Sequence, residues 1–501
     1  MMNKINKWAL YFLPLSIVLF FYLNNLNRFG HLLLTTPVFI LFLIHTAFAY
    51  LLLSLGLLVC RKNKALALLF TSLFLVFFFA FGSLQDFLFN HPWKFFKLLS
   101  NTIIITLLFL SGCLLLSWWL KKRKTLVVRL NRFLLLVFTF FLVYEAGFAF
   151  MYQTLRADKL TAQPQQTFNN TPIAKDSLPD IYHLLFDSYT SNEQLEKHWQ
   201  YTNPLYSQLD SLGFFTVNKA TSNYSLTALS LNSAFNMNYL AGNKKERIHS
   251  FDNFLLWSLN LENNSWFRLL QQYQYNVKLH SLIYEPYSTK AKGNMAHGSP
   301  QSWLRLQTFE KVVFDPWRLN QLKKIVGRSA ALPRSVAAKY GAMQQYNLNT
   351  AEQVYKDLAI PAAGPGYAFY HFLLPHYPYL FDAAGNPLPV TAGTLDLDPK
   401  GYLQQVQYSN LLINKLVKSI LANKPAKPKI IIISGDHGFK DFQMGATDTS
   451  PYQTITAIYF SDKNYAALPT EMSLVNLYRF VANKTFKQKL PALKDSILQG
   501  E

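Results

Sequence analysis

Five long apolar runs in the first 152 residues limit the fold of this chain more than any other feature. They lie at about 8–26, 33–60, 65–84, 98–120 and 133–152. Each approaches or exceeds the roughly 20 residues that an α-helix needs to cross a bilayer. Short charged loops separate the runs, and this arrangement argues against buried core helices of a soluble protein. The sequence therefore predicts a transmembrane domain of five helices over residues 1–152.

Basic residues are concentrated in alternate loops, and this asymmetry predicts the orientation in the membrane. The richer set of segments, which includes the N-terminus, holds Lys4, Lys7, Arg61, Lys62, Lys64, Lys121, Lys122, Arg123, Lys124, Arg129 and Arg132. The other loops hold only Arg28, Lys94 and Lys97. Because loops rich in Lys and Arg remain in the cytoplasm, we expect a multi-pass protein of the cell (inner) membrane with a cytoplasmic N-terminus. Five spans then place the chain after residue 152 outside the cytoplasm.

Two ionisable residues fall inside the apolar runs. His45 lies in the second run and Glu145 in the fifth. An ionisable group within a membrane span is a candidate for function. The structural alternative for Glu145 is that its carboxylate, near the predicted outer end of the span, reaches interfacial water.

The sequence changes character after the last apolar run. Residues 153–179 are polar, rich in Gln, Asn and Thr, and lack periodicity, which indicates a linker. From 180 to 501, short apolar runs alternate with amphipathic stretches, which favours an α/β domain with a mostly parallel central sheet. After residue 152 the chain holds 34 basic and 25 acidic residues, a net charge of +9, which suits anionic lipid headgroups, although a solvated basic surface is an equal alternative. We expect no nucleic-acid partner for a domain outside the cell membrane.

Three β-type runs in this second part end on groups that can bind metal or phosphate. "DIYHLLFDSYTS" ends at Asp187, "YAFYHFLLPHYPYLF" leads to Pro375-His376, and "KIIIISGDHGFKDF" ends at Asp436-His437. In an open α/β sheet, ligands bind beyond the carboxyl ends of the strands. These side chains are therefore expected to converge.

Convergence of Asp187, Asp436 and His437 would give two oxygen ligands and one nitrogen ligand. This set suits one divalent metal ion, with Zn²⁺ or Mn²⁺ favoured and Mg²⁺ as a further alternative. Adjacent Asp and His side chains point to opposite faces of a strand, so they share an ion only where the chain bends. We expect the conformational freedom of Gly435 and Gly438 to allow that bend.

A candidate nucleophile lies between the first two of these runs. In "FFTVNKATSNYSLTALSLNSAFNMNYL" a helical pattern begins at about Thr227. Amides at a helix start attract phosphate, and a metal-bound hydroxyl there can be deprotonated. The alternative is a simple helix cap, and Ser222 or Ser225 could serve in either role.

The order of these segments resembles the alkaline phosphatase–sulfatase superfamily. An Asp follows a first strand, a Thr lies about 40 residues further on, a Pro-His follows a middle strand, and "GDHG" follows a late strand. Within that superfamily the chain looks most like the membrane-anchored lipoteichoic acid synthases and phosphoethanolamine transferases. Their plan is similar, with five spans before an extracytoplasmic catalytic domain. Close motif similarity covers about 60 residues.

The resemblance implies a fold and a set of roles. The outer domain would be alkaline phosphatase-like, and Asp187, Thr227, Asp436 and His437 would hold one divalent metal ion. Thr227 would attack phosphorus and form a covalent intermediate, while His376 would contact the phosphoryl group. These implications are expectations for this chain.

The chain also departs from the families that it resembles. The synthases and transferases have Glu where this chain has Asp187, and Ser188 stands where the phosphatases often have Gly. His437 is the last histidine, which argues against a second metal ion. The outer domain has no Cys and no C/S-x-P-S-R motif, which disfavours a standard sulfatase.

The resemblance thus implies a metal-dependent membrane phosphotransferase that moves a phosphoryl-linked headgroup from a lipid to a lipid or surface glycan. Its partners would be the membrane and a phospholipid or lipid-linked substrate. The alternatives are a phosphate- or sulfate-ester hydrolase of the same superfamily, and a non-catalytic membrane protein that keeps the fold.

Overall fold

The structure is a computed structural model, and it describes most of the chain. The described residues are 11–29, 33–60, 63–91, 93–120, 122–151, 166–240, 261, 264–281, 300–314, 334–360, 364–391, 397–423, 427–440 and 449–498.

The elements within these ranges follow one another as helices first and mixed helices and strands afterwards. The helices are α1 (Leu13–Phe29), α2 (Thr36–Val59), α3 (Lys64–Asn90), α4 (Lys94–Leu99), α5 (Thr102–Leu120), α6 (Lys124–Met151), α7 (Asn192–Trp199), α8 (Leu205–Ser211), α9 (Thr227–Asn236), α10 (Ser265–Gln272), α11 (Pro300–Gln307), α12 (Lys311–Phe314), α13 (Arg334–Ala359), α14 (Pro399–Ala422) and α15 (Leu474–Phe486). The strands are β1 (Asp180–Phe186), β2 (Phe215–Thr216), β3 (Lys219–Thr221), β4 (Asn276–His280), β5 (Gly366–Phe372), β6 (Lys429–Ser434), β7 (Gln453–Thr454), β8 (Thr456–Phe460) and β9 (Glu471–Ser473).

The chain forms two compact units. The first, called the membrane unit below, comprises Met1–Lys159 and Ala296–Leu319. The second, called the outer unit, comprises Leu160–Met295 and Asn320–Glu501. The membrane unit is therefore built from two separate stretches of sequence, whereas the sequence analysis assigned everything after residue 180 to the outer domain.

Four described helices of the membrane unit are long and apolar enough to cross a bilayer. They are α2, α3, α5 and α6, while the apolar helix α1 is shorter. The predicted run 8–26 begins outside the described residues. The described residues therefore contain four candidate spans. The expected count of five is reached only if the shorter helix α1 also crosses the membrane.

Two of these helices extend beyond the predicted runs. α6 begins at Lys124 rather than at residue 133, so Arg129 and Arg132 are helical, and α3 continues to Asn90. The apolar pattern marks only the part of a helix that faces lipid. The backbone hydrogen bonds continue into the polar turns at either end, which hydropathy does not detect.

Both intramembrane ionisable residues have polar partners within the membrane unit. Glu145 is buried, and Asn24 and Asn27 donate to its carboxylate oxygens at 2.7 and 2.6 Å. The carboxylate therefore links α6 to α1. His45 is also buried, and its Nδ1 lies 2.9 Å from the Tyr22 hydroxyl. Both side chains therefore join helices of the membrane unit through polar contacts.

The later stretch of the membrane unit packs against α2 and α3. The backbone N–H of Phe309 donates to the carbonyl oxygen of Phe78 at 2.7 Å, and the Phe309 ring packs on Phe81 with centroids 4.7 Å apart. The Glu310 carboxylate lies 3.4 Å from His45 Nε2. Apolar and polar contacts therefore both hold this stretch on the membrane helices.

The outer unit contains a six-stranded sheet in the order β2-β8-β6-β1-β5-β4. Strands β6, β1, β5 and β4 are parallel, whereas β8 runs antiparallel to β6 and β2 antiparallel to β8. The sheet is mixed, so the expected mostly parallel sheet describes only its four-stranded part. Antiparallel neighbours need no helical crossover, so no helix has to lie between β6 and β8 in the sequence. A second, small sheet has the order β7-β3-β9.

Strand β6 is buried on both faces of the sheet. Ile430 and Ile432 belong to an apolar cluster with α9, α10 and α15, and Ile431 and Ile433 belong to a cluster with α7, α8, α13 and α14. Helices therefore cover both faces. The four isoleucines do not alternate with polar residues because neither face of the strand is exposed to water.

Part of the predicted linker packs on the outer unit. Residues 152–165 lie outside the described residues, but Phe168 and Ile173 pack against its apolar core. The backbone N–H of Asn169 donates to Gln488 Oε1 at 2.8 Å. The C-terminal half of the segment 153–179 is therefore part of the folded unit.

Candidate metal centre

Three neighbouring strands bring the candidate ligands to one edge of the sheet. β1 lies between β6 and β5, and all three run parallel. Their carboxyl ends therefore lie together. Asp187 follows β1 directly, His376 follows β5, and Asp436-His437 follows β6.

Asp187, Asp436 and His437 converge in a buried cluster. His437 Nε2 lies 3.6 Å from Asp187 Oδ1 and 3.4 Å from Asp436 Oδ2. One ligand atom from each residue lies within 4.8 Å of the others. Asp436 and His437 are 0 % exposed and Asp187 is 4 % exposed, so the charges are shielded from bulk water.

Close packing, rather than an unusual backbone conformation, explains the glycines around Asp436-His437. Neither Gly435 nor Gly438 is among the described residues with positive φ, so the expected need for their conformational freedom is not observed. A Cβ on Gly438 would overlap the carbonyl oxygens of Ser450 and Gln453, and one on Gly435 would overlap Thr454 Oγ1. Because these two glycines have no side chain, the chain around Gln453 and Thr454 can pack directly against the segment that turns after β6.

Ser188 joins Asp187 to the Asp436-His437 pair. Its backbone has a φ of 63°, in the left-handed region that favours glycine. In this conformation its N–H donates to Asp436 Oδ1 at 3.1 Å, and its Oγ lies 3.3 Å from His437 Nδ1. The side chain thus provides a contact that glycine would lack.

The electrostatics of the cluster favour an ionised acid and a neutral imidazole. Burial acts to raise the pKa of Asp187, but His376, His371 and His437 together hold that pKa well below its usual range. Burial lowers the pKa of His437, an effect that Asp436 opposes and Lys440 reinforces. A carboxylate and a neutral imidazole are the forms that bind metal.

The hydrogen bonds of His437 define its tautomer. Nδ1 lies 2.8 Å from the carbonyl oxygen of Gly438, which can only accept a hydrogen bond. Nδ1 therefore carries the proton, and the lone pair lies on Nε2, the nitrogen that faces the two carboxylates.

Thr227 is the first residue of α9, while Leu226 holds the N-cap position. Thr227 is therefore not the cap that the alternative interpretation required. Ser230, one turn later, donates to the backbone carbonyl of Asp436 at 2.5 Å. Lys440 Nζ donates to the Ser225 carbonyl at 3.1 Å. Contacts on both sides of Thr227 thus tie the start of α9 to the segment that carries the metal ligands.

The two serines before α9 have other partners. Ser222 is buried, and its Oγ lies 3.4 Å from the carbonyl oxygen of Tyr452. The side chain of Ser225 acts to lower the pKa of Tyr452, against the larger effect of burial, which raises it. Both serines therefore lie beside Tyr452.

The two histidines in and after β5 lie near different members of the cluster. His376 is half-buried, and its ring centroid lies 6.5 Å from that of His437. His371 of β5 has its Nε2 3.5 Å from Asp187 Oδ2 and its Nδ1 3.0 Å from Ser281 Oγ. His371 therefore positions the first acid.

Lys440 was missed by the sequence analysis. Its Nζ lies 3.0 Å from His437 Nε2. The available signal was a lysine three residues after the Asp-His pair, but that spacing alone does not distinguish a site residue from a surface charge.

Unsatisfied acceptors test whether this cluster fits a metal ion. Asp187 Oδ1 and Asp436 Oδ2 are buried and have no hydrogen-bond partner among the described residues. Buried anionic oxygens are normally paired or bound to a cation. Tetrahedral ligands with bonds of about 2.0 Å lie about 3.3 Å apart, close to the separations from His437 Nε2. The donor set and its spacing therefore fit one divalent ion.

Comparisons with known proteins give structural similarities at low sequence identity. No family model and no curated protein matches the sequence. The chain is similar to the integral membrane protein lipooligosaccharide phosphoethanolamine transferase A from Neisseria meningitidis, with a TM-score of 0.39, 12% identity and 94% of each chain covered. It is similar to the C-terminal periplasmic domain of EcEptC from Escherichia coli, with a TM-score of 0.38, 14% identity, and 67% and 92% of the two chains covered.

A third similarity is to a protein from Bacteroides thetaiotaomicron provisionally identified as a sulfatase. Its TM-score is 0.37 at 12% identity, and 64% of this chain and 73% of that chain are covered. Phosphoethanolamine transferases and sulfatases belong to the superfamily that the motifs of this chain resemble.

Proposed function

We propose that this chain is a metal-dependent membrane phosphotransferase with an outward-facing catalytic unit. It would move a phosphoryl-linked headgroup from a lipid to a lipid or surface glycan through a covalent intermediate on Thr227. The observation that carries this proposal is the buried cluster of Asp187, Asp436 and His437, in which two carboxylate oxygens lack partners among the described residues.

The protein side chains define how an ion would be held. Asp187 Oδ1, Asp436 Oδ2 and His437 Nε2 are the proposed ligand atoms, and the Thr227 hydroxyl is the proposed fourth. Zn²⁺ or Mn²⁺ suits this set best, with Mg²⁺ as the further alternative. Such an ion supplies Lewis-acid stabilisation and lowers the pKa of a hydroxyl that binds it.

Other groups would position the phosphoryl group. The backbone N–H groups at the start of α9 have no partner one turn earlier in the helix, and the helix dipole favours negative charge there. His376 is half-buried and close to His437, so its imidazole can meet a phosphoryl oxygen at the open side of the cluster. These donors would oppose the charge that develops in the transition state.

The proposed reaction balances over two transfers. In the first, a bond forms between Thr227 Oγ and phosphorus, and the bond from phosphorus to the lipid oxygen breaks. The threonine hydroxyl gives up one proton, and the leaving lipid oxygen takes up one. In the second, an acceptor hydroxyl replaces Thr227, which regains its proton. If water were the acceptor, the same intermediate would give hydrolysis.

Mass spectrometry can test the covalent step directly. We expect the purified full chain, incubated with divalent metal and bacterial phospholipids, to carry a phosphoryl-linked adduct on the peptide that contains Thr227. Thr227→Ala should remove the adduct and reduce turnover by at least about a thousandfold, because the nucleophile is lost.

The neighbouring serine provides a matched control. Ser225→Ala removes a hydroxyl two residues earlier and should leave the adduct on Thr227. Full turnover by Thr227→Ala would contradict the mechanism. An adduct that water removes as fast as any added acceptor would instead identify a hydrolase.

A further inference from the structure

The segment that follows α15, residues 487–498, contains no helix or strand and is called the strap below. Polar side chains on one face of α15 hold its backbone. Asn483 Nδ2 donates to the Leu490 carbonyl and Asn483 Oδ1 accepts from the Leu490 N–H, both at 2.8 Å. Asn476, about two helical turns earlier, forms the same pair of bonds with Leu493, also at 2.8 Å. The strap therefore runs antiparallel to α15, back towards the start of that helix.

The later part of the strap contacts the loop that leads to Thr227. The backbone N–H of Leu498 donates to the Asn223 carbonyl at 2.9 Å, and Asn223 Nδ2 donates to the Ser496 carbonyl at 2.9 Å. The Asn223 side chain also accepts from the N–H of Val475 in α15 at 2.9 Å. Because Asn223 is 0 % exposed, this loop, the strap and α15 share a buried hydrogen-bonded junction just before α9.

Apolar packing extends this junction to the residues beside the proposed nucleophile. The Leu498 side chain packs against a buried cluster that includes Ala228, the residue directly after Thr227. Leu226, the residue directly before Thr227, packs against the same cluster. The strap therefore supports the apolar residues on both sides of the threonine.

Helix α9 has a second support in the segment that carries the metal ligands. Ser230 donates to the Asp436 carbonyl at 2.5 Å. At the end of α9, Arg479 of α15 donates to the Met237 carbonyl at 2.7 Å and to the Pro491 carbonyl of the strap at 2.8 Å. The position of α9 relative to the metal ligands thus depends on both supports. A displacement of about 1 Å can reduce a reaction rate about a hundredfold, so the support from the strap matters for chemistry.

We infer that the strap is a positioning element for Thr227, which holds the start of α9 at the metal ligands through Leu498 and the Asn223 junction. The inference rests on the covalent role of Thr227 in the proposed function. It adds that phosphoryl transfer depends on a segment that follows the whole sheet in the sequence, because that segment fixes where the threonine hydroxyl lies.

Matched leucine substitutions in the full-length protein in detergent are the first test. Leu498→Ala removes the side chain that packs beside Thr227, whereas Leu468→Ala removes the same atoms from the apolar cluster of Ile430 and Ile432. Each chain is incubated with MnCl₂ and bacterial phospholipids, and mass spectrometry measures how fast the Thr227 adduct forms. We expect adduct formation to be on the order of ten- to a hundredfold slower in Leu498→Ala and unchanged in Leu468→Ala.

Two further measurements separate positioning from a general loss of structure. The dissociation constant for MnCl₂ should be the same in Leu498→Ala as in the unchanged chain, because the metal ligands are retained. Hydrogen exchange in the chelator-treated chain should be on the order of tenfold faster for the amides of residues 222–230 in Leu498→Ala, but not in Leu468→Ala. Leu498→Met fills a similar volume and should restore both the exchange rate and the rate of adduct formation.

The outcomes distinguish this inference from the proposed function. If the unchanged chain forms the adduct, but Leu498→Ala matches Leu468→Ala in adduct formation and in hydrogen exchange, the inference is wrong and the proposed function remains. If the unchanged chain binds MnCl₂ but forms no adduct on Thr227, both proposals are overturned, because there is no nucleophile to position. Slower adduct formation, faster exchange at residues 222–230 and an unchanged dissociation constant together support the inference.

Discussion

His183, a buried histidine of β1, shows how the surroundings of a side chain determine its protonation state. His183 Nδ1 lies 2.6 Å from the Tyr478 hydroxyl, and its Nε2 lies 2.8 Å from Ser434 Oγ. Burial, together with a smaller electrostatic effect of nearby His371, lowers the pKa of His183 to about 3. The neutral ring can donate at one nitrogen and accept at the other, whereas a protonated ring would be a buried charge.

The depressed pKa of His183 predicts a loss of stability in acid. In the unfolded chain this histidine takes up a proton near its ordinary pKa of about 6.5, whereas in the folded chain it resists protonation down to about pH 3. Between these values the unfolded state binds more protons, so stability is full above pH 6.5 and falls as the pH is lowered. This one group contributes a slope of up to about 1.4 kcal/mol per pH unit.

Thermal unfolding at several pH values measures this slope. His183→Gln should show a shallower fall in melting temperature between pH 6.5 and 4.5 than the unchanged chain. His198→Gln, on α7, is the matched control and should follow the unchanged chain. Parallel curves for His183→Gln and the unchanged chain would contradict the assignment.

Some site residues could be predicted from sequence, while others depend on which elements become neighbours. Asp187 and Asp436-His437 were recognisable because each ends an apolar β-run, and strand ends of one sheet edge meet. His371 and Lys440 carried no such signal. Their roles follow from distances to Asp187 and His437, which are set by the pairing of β1 with β5 and by the turn after β6.

At the scale of elements, the end of β6 depends on close backbone packing. The segment that follows Ser434 passes against the chain around β7, and Gly438 donates its N–H to the Pro451 carbonyl at 2.9 Å. This approach holds His437 beside Asp187. The sequence analysis expected these glycines to be needed for their conformational freedom, whereas the structure shows that they allow close backbone packing. A local sequence pattern does not show which distant part of the backbone lies nearby.

Adding one methyl group at Gly438 should therefore destabilise the outer unit. A Cβ there would overlap two backbone carbonyl oxygens, which cannot rotate away as a side chain could. We expect Gly438→Ala to lower the free energy of unfolding by at least about 1–3 kcal/mol and to weaken metal binding.

Gly341→Ala is the matched control for this substitution. Gly341 lies within α13, and no described atom stands within 4 Å of an added Cβ outside the local helix. Alanine in a helix is favoured by about 0.5–1 kcal/mol, so this variant should be slightly more stable. Chemical denaturation of both purified variants measures the difference. If Gly438→Ala and Gly341→Ala were equally stable, the space around Gly438 would not limit the size of the side chain at that position.

At the scale of the whole molecule, apolar length and charge placement predict different properties of the membrane unit. The apolar pattern located the helices of the membrane unit but misplaced the start of α6 and the end of α3. The loop between α5 and α6 remains strongly basic in either case, which is the basis for the proposed cytoplasmic side. We propose from this loop, and from the direction of α6, that the outer unit lies outside the cytoplasm.

Single cysteines can test this orientation. Lys122→Cys, between α5 and α6, and Lys418→Cys, on α14, each place an exposed thiol in a chain whose Cys60 and Cys113 are replaced by Ser. In right-side-out vesicles, a membrane-impermeant maleimide should label residue 418 and spare residue 122. Disrupted vesicles should label both. Labelling of residue 122 in sealed vesicles would reverse the proposed orientation.

The divided sequence of the membrane unit has a consequence for biosynthesis. The partners that α2 and α3 find in Phe309 and Glu310 are translated long after those helices have entered the bilayer. Until Phe309 and Glu310 have been synthesised, His45 lacks the Glu310 carboxylate as a neighbour, and the Phe78 carbonyl lacks the N–H of Phe309 as its hydrogen-bond donor. The membrane unit can therefore reach its final packing only after the first part of the outer unit has been synthesised. A fragment that ends at residue 151 would lack these partners permanently.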